Sequence, residues 1–115
     1  MEQKLVAVVV PVSDLDRSRH FYRALGFRLD EDRAARGSHR MVRLTPPGSS
    51  CSIILSTDTA PGATIGVLTV ADLGATLAEL ESRGARPSAI AHCADGSDYA
   101  TFPDPDGNKW LLVSS

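Results

Sequence analysis

The chain has 115 residues, 43% of them hydrophobic and 23% charged, with a formal net charge of −2 at pH 7. That length suits one domain with its own buried core, and the composition is ordinary for a soluble globular protein. The charge excludes the broad basic surface that nucleic acid requires, and no apolar run approaches the roughly 20 residues that span a bilayer. Because Cys51 and Cys93 form no CxxC pair, a cytoplasmic protein without nucleic-acid or membrane partners is expected.

The first half of the chain predicts one strand, one helix and three further strands. The β-branched run Leu5–Pro11 predicts a central strand. A helix is predicted from Asp14 to Gly26, because an aspartate can cap its start and a glycine can form the left-handed turn that ends it. A polar loop is predicted over Glu31–Gly37 and a tight turn over 45–50, and the other strands are Phe27–Leu29, Ser38–Thr45 and Cys51–Ser56.

The second half predicts the same order of elements after a linker over 58–63. Thr64–Val70 predicts a strand, and Asp72–Gly84 predicts a helix with the same capping residues as the first. The remaining strands are predicted at Arg86–His92, Ser97–Phe102 and Lys109–Val113, with a loop around Ala94–Gly96 and a DPDGN turn over 104–108. Trp110 is expected to pack toward the helices.

The two halves also repeat in sequence. Residues 12–28 and 70–86 align at a displacement of 58 positions, and five of 17 residues coincide: Val12/Val70, Asp14/Asp72, Leu15/Leu73, Gly26/Gly84 and Arg28/Arg86. The coincidences fall on the residues that begin and end a helix. The predicted fold is therefore α+β, with two tandem βαβββ modules (about 1–57 and about 63–115) in one domain over 1–115.

Several of these segments together resemble the vicinal oxygen chelate superfamily of glyoxalases, bleomycin-resistance proteins and extradiol dioxygenases. The segments are VSDLDRSRHFYRALGF, PPGS, VADL and FPDPDGNKWLL, and the resemblance covers nearly the whole chain. It implies that eight strands form a curved mixed sheet, or cup, with a helix packed on the outside of each module. It also implies a homodimer.

The resemblance raises the question of a metal, because metalloenzymes of that superfamily bind one divalent ion with His, Asp or Glu from four strands. The matching positions here are Ala7, Ile65, Leu111 and either Ile54 or Ser52. Segments 5–11, 51–56, 64–70 and 109–113 contain no His, Asp or Glu, so a register shift of one or two residues supplies no ligand. We therefore expect no metal, no cofactor, and neither glyoxalase-type isomerisation nor ring cleavage by the usual mechanism.

A cup without a metal would be lined by apolar groups, as a pocket for an aromatic or aliphatic molecule is. Alternation along the predicted strand Leu5–Pro11 directs Ala7 and Val9 into the cup and Val6, Val8 and Val10 toward the helices. Arg43 is the best anchor for an anionic or carbonyl group if its face lines the cup; the alternative is an exposed edge. The predicted lining is Ala7, Val9, Met41, Arg43, Ser52, Ile54, Ile65, Val67, Tyr99 and Leu111.

The leading hypothesis is a metal-independent, homodimeric binder of a small, largely apolar ligand, of the resistance or sequestration type. The alternative is a metal-free lyase or isomerase that uses His39, Arg43, Tyr99 or His92 for acid–base chemistry. His39 and His92 have no carboxylate neighbour at a fixed spacing, so no catalytic residue is assigned. Hydroxyls of Tyr99 and Thr101 would donate to a ligand or simply fill a strand. An interaction module or a degenerate paralogue with no ligand is the third possibility.

Overall fold

The structure is a computed structural model that describes residues 2–3, 5–34, 40–57, 65–92 and 96–114. For Ile65 it describes the backbone alone. Contacts divide the chain into two compact units, Met1–Pro61 and Gly62–Ser115. Each unit contains a strand, a helix and three further strands in that order. The predicted repeat of two βαβββ modules in an α+β fold is confirmed.

The first unit is a four-stranded mixed sheet with one helix. Its strands lie in the order β1-β4-β3-β2, with β1 parallel to β4 and the other pairs antiparallel. The helix α1 contacts β3 and β4. The elements are β1 (Ala7–Pro11), α1 (Leu15–Ala24), β2 (Arg28–Ala34), β3 (Arg40–Thr45) and β4 (Ser52–Ser56).

The second unit has the same topology, with strand order β5-β8-β7-β6, β5 parallel to β8 and the other pairs antiparallel. The helix α2 contacts β7 and β8. The elements are β5 (Ile65–Val70), α2 (Leu73–Ser82), β6 (Ala91–His92), β7 (Asp98–Pro103) and β8 (Lys109–Ser114).

The residues repeated in sequence begin and end the two helices. The carboxylate of Asp14 accepts a 3.0 Å hydrogen bond from the Arg17 backbone amide, and Asp72 accepts one of 3.0 Å from Ala75. Both aspartates thereby satisfy an amide that the first helical turn leaves free. Gly26 and Gly84 follow the helices with φ of 100° and 102°, a conformation that costs glycine little and other residues more.

Apolar side chains between each helix and its sheet form the core of each unit. In the first unit the side chains that are at most 1% exposed include Val10, Tyr22, Val42, Leu44 and Leu55. In the second unit Trp110 is 4% exposed and stacks on Phe102, with ring centroids 6.5 Å apart. The predicted packing of Trp110 is confirmed.

Three predicted strands differ from the observed ones. β1 lies at an edge of its sheet rather than in the centre, and Val6 and Val8 are 61% and 36% exposed instead of packing against a helix. β2 continues to Ala34 through residues predicted as a loop, because it pairs antiparallel with β3 along that length. Residues 35–37 of the predicted loop lie outside the described residues.

The third difference is the length of β6. Only Ala91 and His92 form a strand, whereas residues 86–90 do not. Pro87 has no amide hydrogen to donate to a ladder. Ser88 alone in this stretch makes two hydrogen bonds to β7. Its amide donates to the Thr101 carbonyl at 2.7 Å, and its Oγ accepts from the Thr101 amide at 2.9 Å.

Candidate functional site

The first sheet presents one face to α1 and an opposite face, which we call the first distal face. On β3, Val42 and Leu44 are 0% exposed on the α1 side. Because side chains alternate along a strand, Met41 and Arg43 project from the other face, where both are half-buried. The first distal face carries the six predicted site residues of the first unit: Ala7, Val9, Met41, Arg43, Ser52 and Ile54.

The strand register arranges most of these side chains in two rows. Val9 pairs with Ile54 on β4, and Ile54 pairs with Arg43 on β3, so the three form one row across the sheet. Ala7 pairs with Ser52 in a second row. Val9 is 54% exposed, Ile54 and Ala7 are half-buried, and Ser52 is 8% exposed. The sheet therefore brings an apolar pair and a guanidinium together in one line.

The second sheet has a corresponding face, directed away from α2, which we call the second distal face. Val67 pairs with Leu111, and Leu111 pairs with Thr101. Val67 is 60% exposed, and Tyr99 on the same strand as Thr101 is 37% exposed. Ile65, the first residue of β5, pairs with Lys109; its side chain lies outside the described part of the structure.

The register also identifies which residue of β4 corresponds to Leu111. Val9 and Val67 are 58 positions apart, as the sequence repeat requires, and their partners are Ile54 and Leu111. Ile54 rather than Ser52 is therefore the fourth equivalent position. The side chains of Ala7, Ile54 and Leu111 carry no nitrogen or oxygen with which to bind an ion. Among the described residues there is also no group of three or more His, Cys, Asp or Glu that could hold a metal.

A hydrogen-bonded chain of hydroxyls occupies the polar end of the first distal face. Thr45 donates to the carboxylate of Asp30, and the oxygens of Thr45 and Ser52 lie 2.8 Å apart. The hydrogen bond from Thr45 is the main reason that the pKa of Asp30 lies below its usual value, and a 2.6 Å hydrogen bond from Arg28 is the next. Since Asp30 is ionised and accepts from Thr45, the proton between the two hydroxyls comes from Ser52. The Ser52 oxygen thereby keeps free acceptor capacity.

Arg43 stands apart from the other polar groups of this face. Its Nε is buried and has no hydrogen-bond partner among the described residues. Its charge acts on Asp30 only as the smallest of the influences that lower that carboxylate's pKa. The sequence left two alternatives for this side chain, a ligand anchor and a place on an exposed edge. The burial of its Nε disagrees with the exposed edge.

Charged groups on the α1 side of the first sheet form a separate cluster. Arg40 bonds Asp32 with two nitrogens, at 2.7 and 2.9 Å, and reaches Asp16 on α1 at 2.9 Å. Arg19 on α1 also bonds Asp32. The bonds from Arg40, and then from Arg19, lower the pKa of Asp32 to about 2. This cluster joins the helix to β2 and β3 and lies on the face opposite to Arg43.

The residues suggested for acid–base chemistry do not come together. His92 does have a carboxylate neighbour, contrary to the prediction, since its Nδ1 lies 2.5 Å from Oδ1 of Asp98. The two residues are paired directly across the β6–β7 ladder, and the sequence pattern gave no signal for that register. Alternation directs both away from the face of Tyr99, and the side chains are 76% and 40% exposed. His39 lies outside the described residues.

Comparisons with known proteins agree with this architecture. Residues 4–112 match the Glyoxalase/Bleomycin resistance protein/Dioxygenase superfamily. The chain is 29% identical to TnmS3, an antibiotic binding protein from Streptomyces sp. CB03234, with a TM-score of 0.85 and coverage of 98% of this chain and 96% of that one.

A glyoxalase/bleomycin resistance protein from the same Streptomyces is 30% identical, with a TM-score of 0.80 and coverage of 96% and 99%. A superfamily member from Sphaerobacter thermophilus DSM 20745 is 24% identical, with a TM-score of 0.85 and coverage of 99% and 98%, and it supports the fold alone. No curated protein has significant similarity to the sequence.

The described part of the chain contains no helix that is long and apolar enough to cross a membrane. The match over residues 4–112 includes both βαβββ units, and it agrees with the resemblance carried by the helix caps and the DPDGN turn. This chain belongs to the Glyoxalase/Bleomycin resistance protein/Dioxygenase superfamily.

Proposed function

We propose that this protein binds a small aromatic or aliphatic molecule without a metal ion and sequesters it unchanged. One observation carries the proposal: apolar residues occupy the four positions that, by the family resemblance, match those at which metalloenzymes of the superfamily bind their ion. These positions are Ala7, Ile54, Ile65 and Leu111. Apolar side chains cannot replace the hydration shell of a divalent cation, whereas they favour contact with an apolar ligand.

Exposed valines support the same proposal. Val9 and Val67 occupy equivalent places on the two distal faces and are 54% and 60% exposed. Each lies beside an aliphatic partner, Ile54 or Leu111, so each distal face offers apolar area that a ligand would remove from water. Similarity to a protein described as an antibiotic binding protein, at 29% identity, makes sequestration the natural form of this binding.

The proposal includes a homodimer. β1 is an edge strand of its sheet. Exposed apolar side chains lie on it, at Val8 and Val9, and just before it, at Leu5 and Val6. An edge strand with apolar side chains on both faces favours association with a second surface. A second copy of the chain is the partner we propose.

A metal-free lyase or isomerase is the second candidate, and the contact between His92 and Asp98 is the observation in its favour. A carboxylate on Nδ1 orients an imidazole for proton transfer through Nε2. The candidate is weaker than sequestration, because alternation directs His92 away from the second distal face on which Tyr99 and Leu111 lie. It predicts turnover that His92→Ala abolishes.

Titration with Nile red, a neutral apolar dye, tests the binding proposal. We expect a saturable rise in fluorescence with the wild type and at least about tenfold weaker binding with Ile54→Asp, since a carboxylate there opposes burial of an apolar ligand. The matched control is Ile90→Asp, which places the same charge on an apolar side chain that is 38% exposed and outside both distal faces. Equal weakening by both variants, or no saturable binding, would contradict the proposal.

Two further measurements on the same samples separate the rival functions. Mass spectrometry of a recovered ligand is expected to show the compound unchanged, whereas a product would favour the enzyme. Elemental analysis of the purified protein is expected to show far less than one divalent ion per chain. A stoichiometric, tightly held ion would overturn the metal-independent proposal, even if Nile red binds as expected.

A further inference from the structure

Arginines are abundant on β2 and β3, and all but one of them are paired with a carboxylate. Arg28 lies 2.6 Å from Asp30, Arg33 lies 2.9 Å from Glu31, and Arg40 bonds Asp32 with two nitrogens. Within these two fully described strands, only Arg43 has no carboxylate partner.

The carboxylates nearest to Arg43 are already engaged. Glu31 is its direct partner in the strand register, yet it bonds Arg33. Asp30 acts on Arg43 only through space, because its oxygens accept from Arg28 and Thr45. The guanidinium of Arg43 is thus a surplus positive charge at the end of the apolar row that Ile54 and Val9 form.

Burial makes this surplus costly. The Nε–H of Arg43 is removed from solvent without an acceptor among the described residues, and a buried donor without a partner destabilises a fold, more so when the group is charged. A buried donor without a partner in a native fold calls for an explanation. A ligand that brings the missing acceptor would explain it, and would also explain why the neighbouring carboxylates are bonded to other arginines.

We propose that Arg43 anchors the anionic group of an acidic ligand whose apolar body lies along Ile54 and Val9. The inference rests on the proposed binding function and narrows it, since the sequence left anionic and carbonyl groups equally open. The Nε–Nη edge of a guanidinium presents two parallel N–H bonds, which match the two oxygens of a carboxylate.

The dimensions of the row indicate the size of the ligand. Val9, Ile54 and Arg43 lie on three adjacent strands, so the row spans about 10 Å, twice the strand separation of about 4.8 Å. A bicyclic aromatic carboxylate has that length. The equivalent residue of Arg43 in the second sheet is Thr101, which is uncharged. The anion anchor therefore belongs to the first distal face.

Matched acid and amide probes test the proposal on the full chain. The probes are 2-naphthoate against 2-naphthamide and octanoate against octanamide, with binding measured by calorimetry and by the amide shifts of β3 and β4 in NMR spectra. We expect each acid to bind about tenfold or more tightly than its amide, because a hydrogen bond to a charged group contributes more than a neutral one. We also expect the Nε–H resonance of Arg43 to shift when the acid binds.

Variants identify the residue responsible. Arg43→Met should weaken the acids about tenfold or more and leave the amides unchanged, and Arg43→Lys should restore only part of the affinity, since an ammonium lacks the planar fork. Arg83→Met removes one positive charge from an exposed side chain just after the end of α2 and should change the affinity for neither kind of probe. Without ligand, Arg43→Met should be at least as stable as the wild type, because the substitution removes a buried unpaired donor. If Arg43 instead stabilised the fold, the variant would be less stable.

The outcomes separate the inference from the function on which it rests. Acids and amides that bind equally well, with Arg43→Met without effect on either, would overturn the anionic class while the binding function stands. A destabilised Arg43→Met variant with unchanged acid affinity would assign the side chain to the fold instead. Absence of binding by all four probes at millimolar concentration, together with no binding of Nile red, would remove the proposed function and the inference with it.

Discussion

Charged side chains on β2 and β3 occupy the two faces of the first sheet with different consequences. On the α1 side, Asp16, Arg19, Asp32 and Arg40 satisfy one another and join the helix to two strands. On the distal side, Arg43 remains without such a partner among the described residues. The same residue type thus contributes to the fold in one place and is available for binding in another.

The cluster around Asp32 predicts a loss of stability in acid. Its pKa is lowered from 3.8 to about 2, so its contribution is fully present above about pH 4, declines as the pH falls, and is gone below about pH 2. Urea unfolding at pH 6, 4, 3 and 2 should therefore show that Asp32→Asn is less stable than the wild type at pH 6 and that the difference shrinks toward pH 2.

Glu79→Gln is the matched control for Asp32, because it neutralises an exposed carboxylate paired with Arg83 on α2. Exposed pairs of this kind contribute little, so this variant should follow the wild type at each pH. A difference between wild type and Asp32→Asn that persisted unchanged to pH 2 would refute the ion-pair account.

Gly66 predicts a packing effect at a single carbon atom. An added Cβ would lie 2.2 Å from Cζ3 of Trp110, its partner in the β5–β8 register. Gly66→Ala should lower the free energy of unfolding by about 1–3 kcal/mol, the usual cost of overpacking. Gly74→Ala, where the nearest atom is 3.8 Å away in the first turn of α2, should be neutral or raise stability by up to about 1 kcal/mol. Chemical denaturation compares the two, and equal effects would contradict the packing argument.

The two helices show what local sequence signals specify at the scale of an element. Asp14 and Asp72 cap the starts, and Gly26 and Gly84 take the left-handed conformation beyond the ends. These features depend only on residues within one turn of the helix end, so the sequence contains the information needed to predict them.

The caps predict equal losses in the two units. Asp14→Ala and Asp72→Ala should each lower the free energy of unfolding by about 1 kcal/mol, because each leaves an amide of the first turn without its acceptor. Asp14→Ser and Asp72→Ser retain an acceptor and should restore most of the stability in urea unfolding. Serine variants as unstable as the alanine variants would show that the carboxylates act in some other way.

The strands were predicted less well, for reasons that lie outside their own sequence. Residues 31–34 carry a charged pattern typical of a loop, and they become strand because β3 and α1 supply ion-pair partners. The position of β1 at a sheet edge depends on which strand pairs with it, and composition does not reveal that. The contact of His92 with Asp98 likewise depends on the hairpin register.

At the scale of the whole molecule, the repeat was the feature most readily predicted, and the candidate site was predicted in part. Ala7, Val9, Ile54 and Arg43 were identified by alternation and by the family resemblance, and the first four strands place them on one face. The sequence could not show that Arg43 lacks a partner, because that depends on how the carboxylates of β2 are shared among four other arginines.

The homodimer proposal predicts a change in mass on a single substitution. Sedimentation velocity should show a dimer for the wild type and a shift toward monomer for Val6→Lys, since a charge on the exposed β1 edge opposes association. Val6 is 61% exposed and lies outside the proposed ligand row. Ile90→Lys introduces the same charge elsewhere and should remain dimeric. A monomeric wild type, or a dimeric Val6→Lys, would count against β1 as the interface.

The contact between Trp110 and Gly66 gives the protein an unequal optical signature. Trp110 is the one tryptophan of the chain, and it lies buried in the second unit, whereas the buried aromatic residues of the first unit are Tyr22 and Phe27. Indole emission during unfolding therefore reports the state of Gly62–Ser115, and far-ultraviolet circular dichroism reports both units. Coincident transitions would mean that the two halves of the duplication unfold as one cooperative body, and separate transitions would give each half its own stability.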